Sequence, residues 1–275
     1  MKKENKSITP KKVQNLSYTD FVGFINQWNV LPGSYVTLSK WAQFSRMNRK
    51  SRLLEIACTT GFSSRELAVM TGCSGEGFDL SEQSVRMANY NKERYAPHIN
   101  FSYVVADGYN YRPKGTFTHI AVGASLQFFS DPQKMLDHCI GMLEDGGYLL
   151  VSPFYVTSPI PKRLIKRAEN VFQITPTVVS YKEIMQTYNK LEILYEDRNY
   201  IIQETEKELH YYCKSTIDRT CETYHITNPI LYGAMYKRLL EVKQMSNDLR
   251  PYQMYSVLVL RYRSSVYPKR FAELF

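Results

Sequence analysis

Between Arg52 and Ser152 the chain alternates short apolar runs with amphipathic stretches, and this alternation restricts its fold more than any other feature. The runs Leu53–Ala57, Gly75–Phe78, Phe101–Ala106, Phe117–Val122 and Tyr148–Ser152 read as strands. Helices are predicted over Ser63–Met70, from a cap at Ser81 to Tyr95, and from Asp131-Pro132, a capping acid with a proline at the first helical position. Strands and helices in that rhythm build a parallel, doubly wound sheet. Further on, helices over Lys162–Phe172 and Tyr181–Tyr188 precede a sixth strand, Leu191–Tyr200, and a seventh runs over Tyr252–Arg263. Residues 203–248 hold two helical segments parted at Thr227-Asn-Pro229 and read as an insertion before the last strand. The expected class is α/β: a seven-stranded doubly wound sheet with helices on both faces.

The divisions expected are a disordered basic tail (1–14), an N-terminal helical segment (15–50), the sheet core (51–202), the helical insertion (203–250) and the final strand with the C-terminus (251–275). In the second of these, Ser17-Tyr-Thr-Asp20 carries a capping signature ahead of Phe21, Phe24, Ile25 and Trp28 at helical spacing, and Thr37 is the expected cap of a second helix. Five Lys against one Glu make residues 1–14 basic, residues 15–154 balance at 12 against 12, and the remaining excess of the +9 net charge falls after Phe154. The sheet core is thus neutral. A basic excess attracts nucleic acid or anionic substrates, but here the basic residues are interspersed with acids, so a solvated surface is the simpler reading. Five unpaired-looking cysteines argue against a disulfide framework or a zinc site, and no metal is expected. With neither a signal-like apolar run after the basic start nor a membrane-length apolar stretch, a cytoplasmic protein is expected.

Ligands of open parallel sheets lie outside the carboxyl ends of the strands, where this sequence sets Glu55, Asp79 and Asp107. An acid after the second strand can accept both hydroxyls of a ribose, and one after the third an exocyclic amine such as adenine's. Glu55 disfavours a pyrophosphate and favours an ammonium or sulfonium group. The turn between the first strand and its helix, in "LLEIACTTGFSS", has a single glycine, Gly61. A dinucleotide needs a further glycine for its pyrophosphate. A phosphate-free, cationic nucleoside does not, and S-adenosylmethionine is the common one.

With these residues the chain resembles the class I S-adenosylmethionine-dependent methyltransferases, over about residues 50–155. "EIACTTG" is similar to the family's acid and glycine loop at Glu55 and Gly61, with Ala57 and Thr59 where the family has its other glycines. "FDLS" (Phe78–Ser81) is similar to the ribose motif, "ADG" (Ala106–Gly108) to the adenine motif, "IAVGASLQFF" to the fourth strand beside the reactive methyl, and "LEDGGYLLVSPF" to the turn into the fifth strand. The resemblance implies a Rossmann-like fold, S-adenosyl-L-methionine as cofactor, and cofactor contacts from Glu55, Ala57, Cys58, Thr60, Gly61, Asp79, Leu80, Asp107, Gly108 and Gly123.

Methyl transfer requires an aligned, desolvated acceptor and, for hydroxyls and acidic carbons, a base. No base is identifiable; Ser125, Gln127 and Tyr155, after the fourth and fifth strands, are the polar candidates. Tyr18, Trp28, Tyr35, Tyr155, Tyr211 and Tyr212 are candidate substrate contacts, because the N-terminal segment and the insertion are placed to enclose a cleft. The fourth strand is followed by neither an Asn/Asp-Pro-Pro-Tyr tetrapeptide nor a Pro-Cys pair, which counts against base-amine and cytosine-carbon methylation. The favoured acceptor is a small molecule or short modified peptide, methylated on N or O. RNA methylation and a non-catalytic cofactor-binding scaffold are the alternatives, and the insertion can instead be a homodimer contact or a buttress of the core.

Overall fold

The structure, a computed structural model, describes residues 8–28 and 31–265. Three helices lead in: α1 (Pro10–Asn15), α2 (Tyr18–Phe24) and α3 (Ser34–Phe44). Strand–helix alternation follows as β1 (Arg52–Ile56), α4 (Phe62–Thr71), β2 (Ser74–Asp79), α5 (Glu82–Tyr95), β3 (Phe101–Val105), β4 (Phe117–Gly123), α6 (Pro132–Met142) and β5 (Leu143–Val151). Then come β6 (Phe154–Val156), α7 (Lys162–Phe172), α8 (Tyr181–Tyr188), β7 (Glu192–Tyr200), α9 (Glu206–Tyr224), α10 (Pro229–Leu249) and β8 (Gln253–Arg261).

Strands β3-β2-β1-β4-β5 are parallel neighbours, with the order reversing at β1 and β4. The register sets Glu55 opposite Gly77 and Ala121, and Asp79 opposite Val105, so the first two acids come out at one end of the sheet. β8 runs antiparallel to β5, a direction that the sequence pattern left open. A β-branched apolar run has no inherent direction; the antiparallel placement comes from the chain's return through the α9–α10 pair. The eighth strand is β6, a three-residue piece too short to read from periodicity. β5 pairs with residues 258–261 of β8 and β6 with 253–255, while β7 pairs along 254–261. β5 and β6 therefore share one edge of β8 and β7 takes the other.

The sheet is covered on both faces. One apolar cluster joins Leu54, Ile120 and Leu149 to Met135 and Leu136 of α6 and Ile184 of α8; another joins Leu53, Leu150 and Val259 to Leu38 and Trp41 of α3 and Leu67 of α4. A third lies outside the sheet and decides how the additions sit. Val13, Phe21, Phe24 and Ile25 pack there against Cys213, Ile217, Leu231, Met235 and Leu239 of the α9–α10 hairpin, with Met87 of α5.

Three N-terminal expectations change. Residues 10–14 of the expected disordered tail belong to α1, started by Thr9 and Pro10 and held by buried Val13, while residues 1–7 of that tail lie outside the described residues. Helix α3 starts from Gly33 at φ +74°, not from Thr37, whose hydroxyl instead donates to the Pro32 carbonyl at 2.6 Å. Trp28 lies beyond the end of α2. At the other end, residues 266–275 of the final division are also outside the described residues.

Candidate active site

The turn after β1 gives the site its shape. Ala57, Thr59 and Gly61 have φ of +53°, +46° and +70°. The backbone thus takes left-handed conformations at all three alternate positions, although only one is glycine. For an L-residue this region costs about 1–2 kcal/mol, more for a β-branched one. Thr59→Gly is therefore expected to stabilise the fold by about 1 kcal/mol, roughly 2–4 °C in Tm for a chain of this size. Thermal unfolding of the variant checks this, and a lowered Tm would remove the strain argument.

Tyr103 of β3 fills the space under the turn. Its hydroxyl lies 2.9 Å from Ser64 Oγ and donates to the Gly61 carbonyl at 3.2 Å. A Cβ on Gly61 would stand 2.7 Å from the Tyr103 ring, so this one glycine is required by contact as well as by φ.

Both acids of β1 and β2 are buried at 7% exposure. Asp79 accepts from the Thr59 amide at 3.0 Å and the Ser81 amide at 2.9 Å. Each oxygen keeps lone-pair capacity, since a carboxylate has about four acceptor positions. The Ser81 hydroxyl donates to Asp20 of α2 at 2.6 Å, tying the N-terminal segment to the end of β2. Burial raises the Asp79 carboxyl above its ordinary value, against the two amides that hold it down.

Glu55 accepts from the Ser64 amide at 3.2 Å. Burial, opposed by Ser64 and Ser63, pushes its carboxyl up to about 7. A folded-state value raised above the unfolded one means the folded protein binds the proton more tightly. Stability contributed by Glu55 is then present at low pH and lost as pH rises from about 4.5 to about 7. A cation bound at Glu55 reverses the sense, because it favours the ionised form. Affinity for an amine-bearing ligand is expected to rise up to tenfold per pH unit below pH 7 and to level off above it. Calorimetry across pH 5.5–8.5, with Glu55→Gln flattening the profile, checks this.

The third acid is engaged locally. Asp107 accepts from the Tyr109 amide at 3.1 Å and the Asn110 amide side chain at 2.6 Å. Gly108 is packed so closely that a Cβ would lie 2.9 Å from the Phe129 ring. Leu80, Val105 and Phe128, at the ends of β2 and β3 and just after β4, are exposed apolar side chains. Cys58 is buried, and burial drives its thiol far from the thiolate form. The Thr60 hydroxyl donates to the Gln27 carbonyl at 2.8 Å, and Gly123 ends β4 at φ +58°.

The residues expected after β4 and β5 are not gathered as one group. Ser125 donates to the Val122 carbonyl at 2.5 Å, Gln127 donates to Thr177, and Tyr155 is buried and accepts from Arg198 Nε at 3.2 Å. Of the candidate substrate contacts, Trp28 and Tyr212 meet: the Tyr212 hydroxyl donates to the Trp28 carbonyl at 3.2 Å. Tyr211 faces the other way, 76% exposed, in a cleft of about 370 Å³ with His210, Lys214, Tyr232 and Tyr236. Tyr35 is exposed and donates to Glu66 at 3.1 Å, and Tyr18 packs edge-on against Phe172 at 5.6 Å.

The segment Ile25–Trp28 is a layer between the turn and the insertion. On one side its Gln27 carbonyl receives Thr60, and Asn26 exchanges hydrogen bonds with Asn91 at 2.8 and 2.7 Å. On the other, Thr220 donates to the Ile25 carbonyl at 2.6 Å and Arg219 to the Asn26 carbonyl at 2.9 Å. Gln27 Oε1 is buried and has no donor. Sequence reasoning missed Gln27, Arg65, Tyr103 and Arg219. For Arg65, a charged residue on the face of α4 that also carries the apolar Phe62 and Ala68, the signal was there to find.

Residues 53–147 match the family model for a methyltransferase domain. The chain is 24% identical over 170 residues to malonyl-[acyl-carrier protein] O-methyltransferase 1 of Ilyobacter polytropus, covering 59% of this chain and 61% of that protein. The chain thus spans about three-fifths of that relative. Among solved structures, MccD protein is 27% identical with a TM-score of 0.69, covering 86% of this chain and 100% of that one. A methyltransferase from Geobacter sulfurreducens in complex with S-adenosyl-L-homocysteine is 14% identical with a TM-score of 0.67, covering 89% of this chain and 98% of that one. The chain carries the class I S-adenosylmethionine-dependent methyltransferase fold, a fold class whose cofactor is S-adenosylmethionine.

The residues present fit that cofactor. Asp79 retains acceptor capacity, Glu55 can answer a cation, and the orphaned Gln27 oxygen beside the turn suits an ammonium donor. Among the described residues no group of three or more His, Cys, Asp or Glu could hold a metal, and no helix is long and apolar enough to cross a membrane.

Proposed function

We propose that the protein transfers a methyl group from S-adenosylmethionine to a small-molecule or carrier-linked acceptor, with Asp79 receiving the ribose hydroxyls, Glu55 and Gln27 the cationic methionine end, and the Gly108 region the adenine. The observation that carries this reading is the left-handed turn at residues 57–61, flanked by two buried acids. The bound cofactor supplies a methyl on a sulfonium, an activated carbon. The chain's own work is to orient the acceptor and exclude water, and the layer of Ile25–Trp28 under α9 suits that role.

Ser125, Gln127 and Tyr155 are each already committed to a hydrogen bond, so none is poised as a base. The reading therefore favours an acceptor that arrives nucleophilic, such as a carboxylate or a neutral amine. The malonyl relative, whose name specifies an acylated carrier, is in keeping with this.

The test is formation of S-adenosylhomocysteine with a panel of small acids, amines and acylated carriers, beside structured RNA. Turnover with a small or carrier-linked acceptor is expected. Turnover with RNA alone, with binding that weakens steeply as salt rises, would overturn the acceptor class.

A further inference from the structure

We infer that Arg65, Arg219 and Trp28 form a subsite for an anionic group on the acceptor, a carboxylate or a phosphate ester; it rests on the acceptor reading above. Arg65 is one helical turn from the glycine, its amide donating to the Gly61 carbonyl at 3.2 Å, so the cluster stands beside the turn. The side chain is 2% exposed. Its Nε and Nη2 both donate to one oxygen of Glu66, at 3.0 and 2.9 Å, while Nη1 is buried and without an acceptor. Arg219 reaches in from α9. Its Nη2 donates to the Asn26 carbonyl, and its Nε is likewise buried without an acceptor.

The two guanidinium carbons lie 5.0 and 4.6 Å from the centre of the same Trp28 ring, and Tyr95 meets that ring edge-on at 4.9 Å. Burial and the neighbouring Arg65 lower the Arg219 value, opposed by Tyr212 and Tyr95.

This is an uncomfortable arrangement for an isolated protein. Buried donors without acceptors and like charges held together both cost free energy. Glu66 offsets one of the two cations, which leaves one positive charge to be met. A monoanion accepting from the two orphaned N–H groups would neutralise that charge and satisfy both donors. Guanidinium forks suit the planar oxygens of carboxylates and phosphates, and the indole offers a flat platform to whatever carries them. The pieces come from the N-terminal segment, α4 and the insertion, so the subsite exists only when all three are assembled.

The test uses the full chain, 15N-labelled, and follows the Trp28 indole N–H, one of only two such signals. Benzoate, malonate and inorganic phosphate are titrated with and without saturating S-adenosylhomocysteine, with benzamide as the neutral control. We expect saturable shifts of Trp28 with the three anions but not with benzamide, in cofactor-saturated protein, weakened at least tenfold in Arg219→Gln and recovered in part in Arg219→Lys. A parental circular dichroism spectrum, with the anion titrations run at whatever S-adenosylhomocysteine concentration saturates the variant, shows that the variant is folded and loaded. Shifts abolished by S-adenosylhomocysteine would mean that the cofactor's own carboxylate fills the cluster, and shifts equal in Arg219→Gln would mean adventitious binding; either overturns the inference. Failure of S-adenosylhomocysteine itself to bind would count against the cofactor site, a distinct result.

Discussion

Asp79→Ala is expected to weaken S-adenosylmethionine binding at least a hundredfold. If the carboxylate receives two ribose hydroxyls, each hydrogen bond to this charged acceptor contributes about 1.5–3 kcal/mol, and a tenfold change in affinity is about 1.4 kcal/mol. The same side chain also accepts from the Thr59 and Ser81 amides. The truncation therefore strips the turn of an acceptor as well as the ligand of a partner. Asp79→Asn separates the two contributions: its amide oxygen can still receive one backbone N–H, but the charge is gone. The asparagine variant should keep a Tm near that of the parent and still lose at least tenfold in affinity. Calorimetric titration reads both, and parental affinity in Asp79→Ala would remove the ribose assignment.

Much of this arrangement was legible in the sequence because local chemistry and global fold agree there. Ser81 and Asp131 cap their helices as their residue types predict, and α7 and α8 span the expected residues. The strand-end acids could be placed because an acid that ends an apolar run in a doubly wound sheet has few other positions. The failures have physical causes too. Ala57 and Thr59 carry no side-chain signal for left-handed backbone, since the conformation is imposed by the turn against their preference. Val13, with Ile8 and Leu16 beside it and Arg238 of α10 donating to the Val13 and Leu16 carbonyls, draws a lysine-rich segment into a helix, by long-range contact that no window of the tail contains. Tyr211 and Tyr212 are adjacent in the chain, but successive helical residues point about 100° apart, so only one faces Trp28. The arginine cluster joins residues more than 150 positions apart, and only the tertiary fold brings them to one ring.

Deleting residues 204–247 is expected to abolish cofactor binding together with turnover, a larger effect than loss of an acceptor lid. The sequence reading has the insertion enclosing the acceptor pocket; its inner face is already filled by Phe21, Phe24, Ile25, Val13 and Met87. Full burial of such side chains contributes about 1.5–3 kcal/mol each, so uncovering five of them is comparable to the roughly 5–15 kcal/mol by which a domain is stable. Because the deletion can fail to fold, a gentler variant makes the same case. Tyr212→Phe with Thr220→Val removes two donors to the Trp28 and Ile25 carbonyls, each worth about 1 kcal/mol, and leaves the apolar packing in place. The layer that those carbonyls belong to also receives Thr60 of the turn, so loosening it from above should loosen the turn below. The double variant is expected to keep the parental circular dichroism spectrum while its affinity for S-adenosylhomocysteine falls several-fold. Unchanged affinity with lost turnover would make the insertion a lid alone, bearing on the acceptor and not on the cofactor.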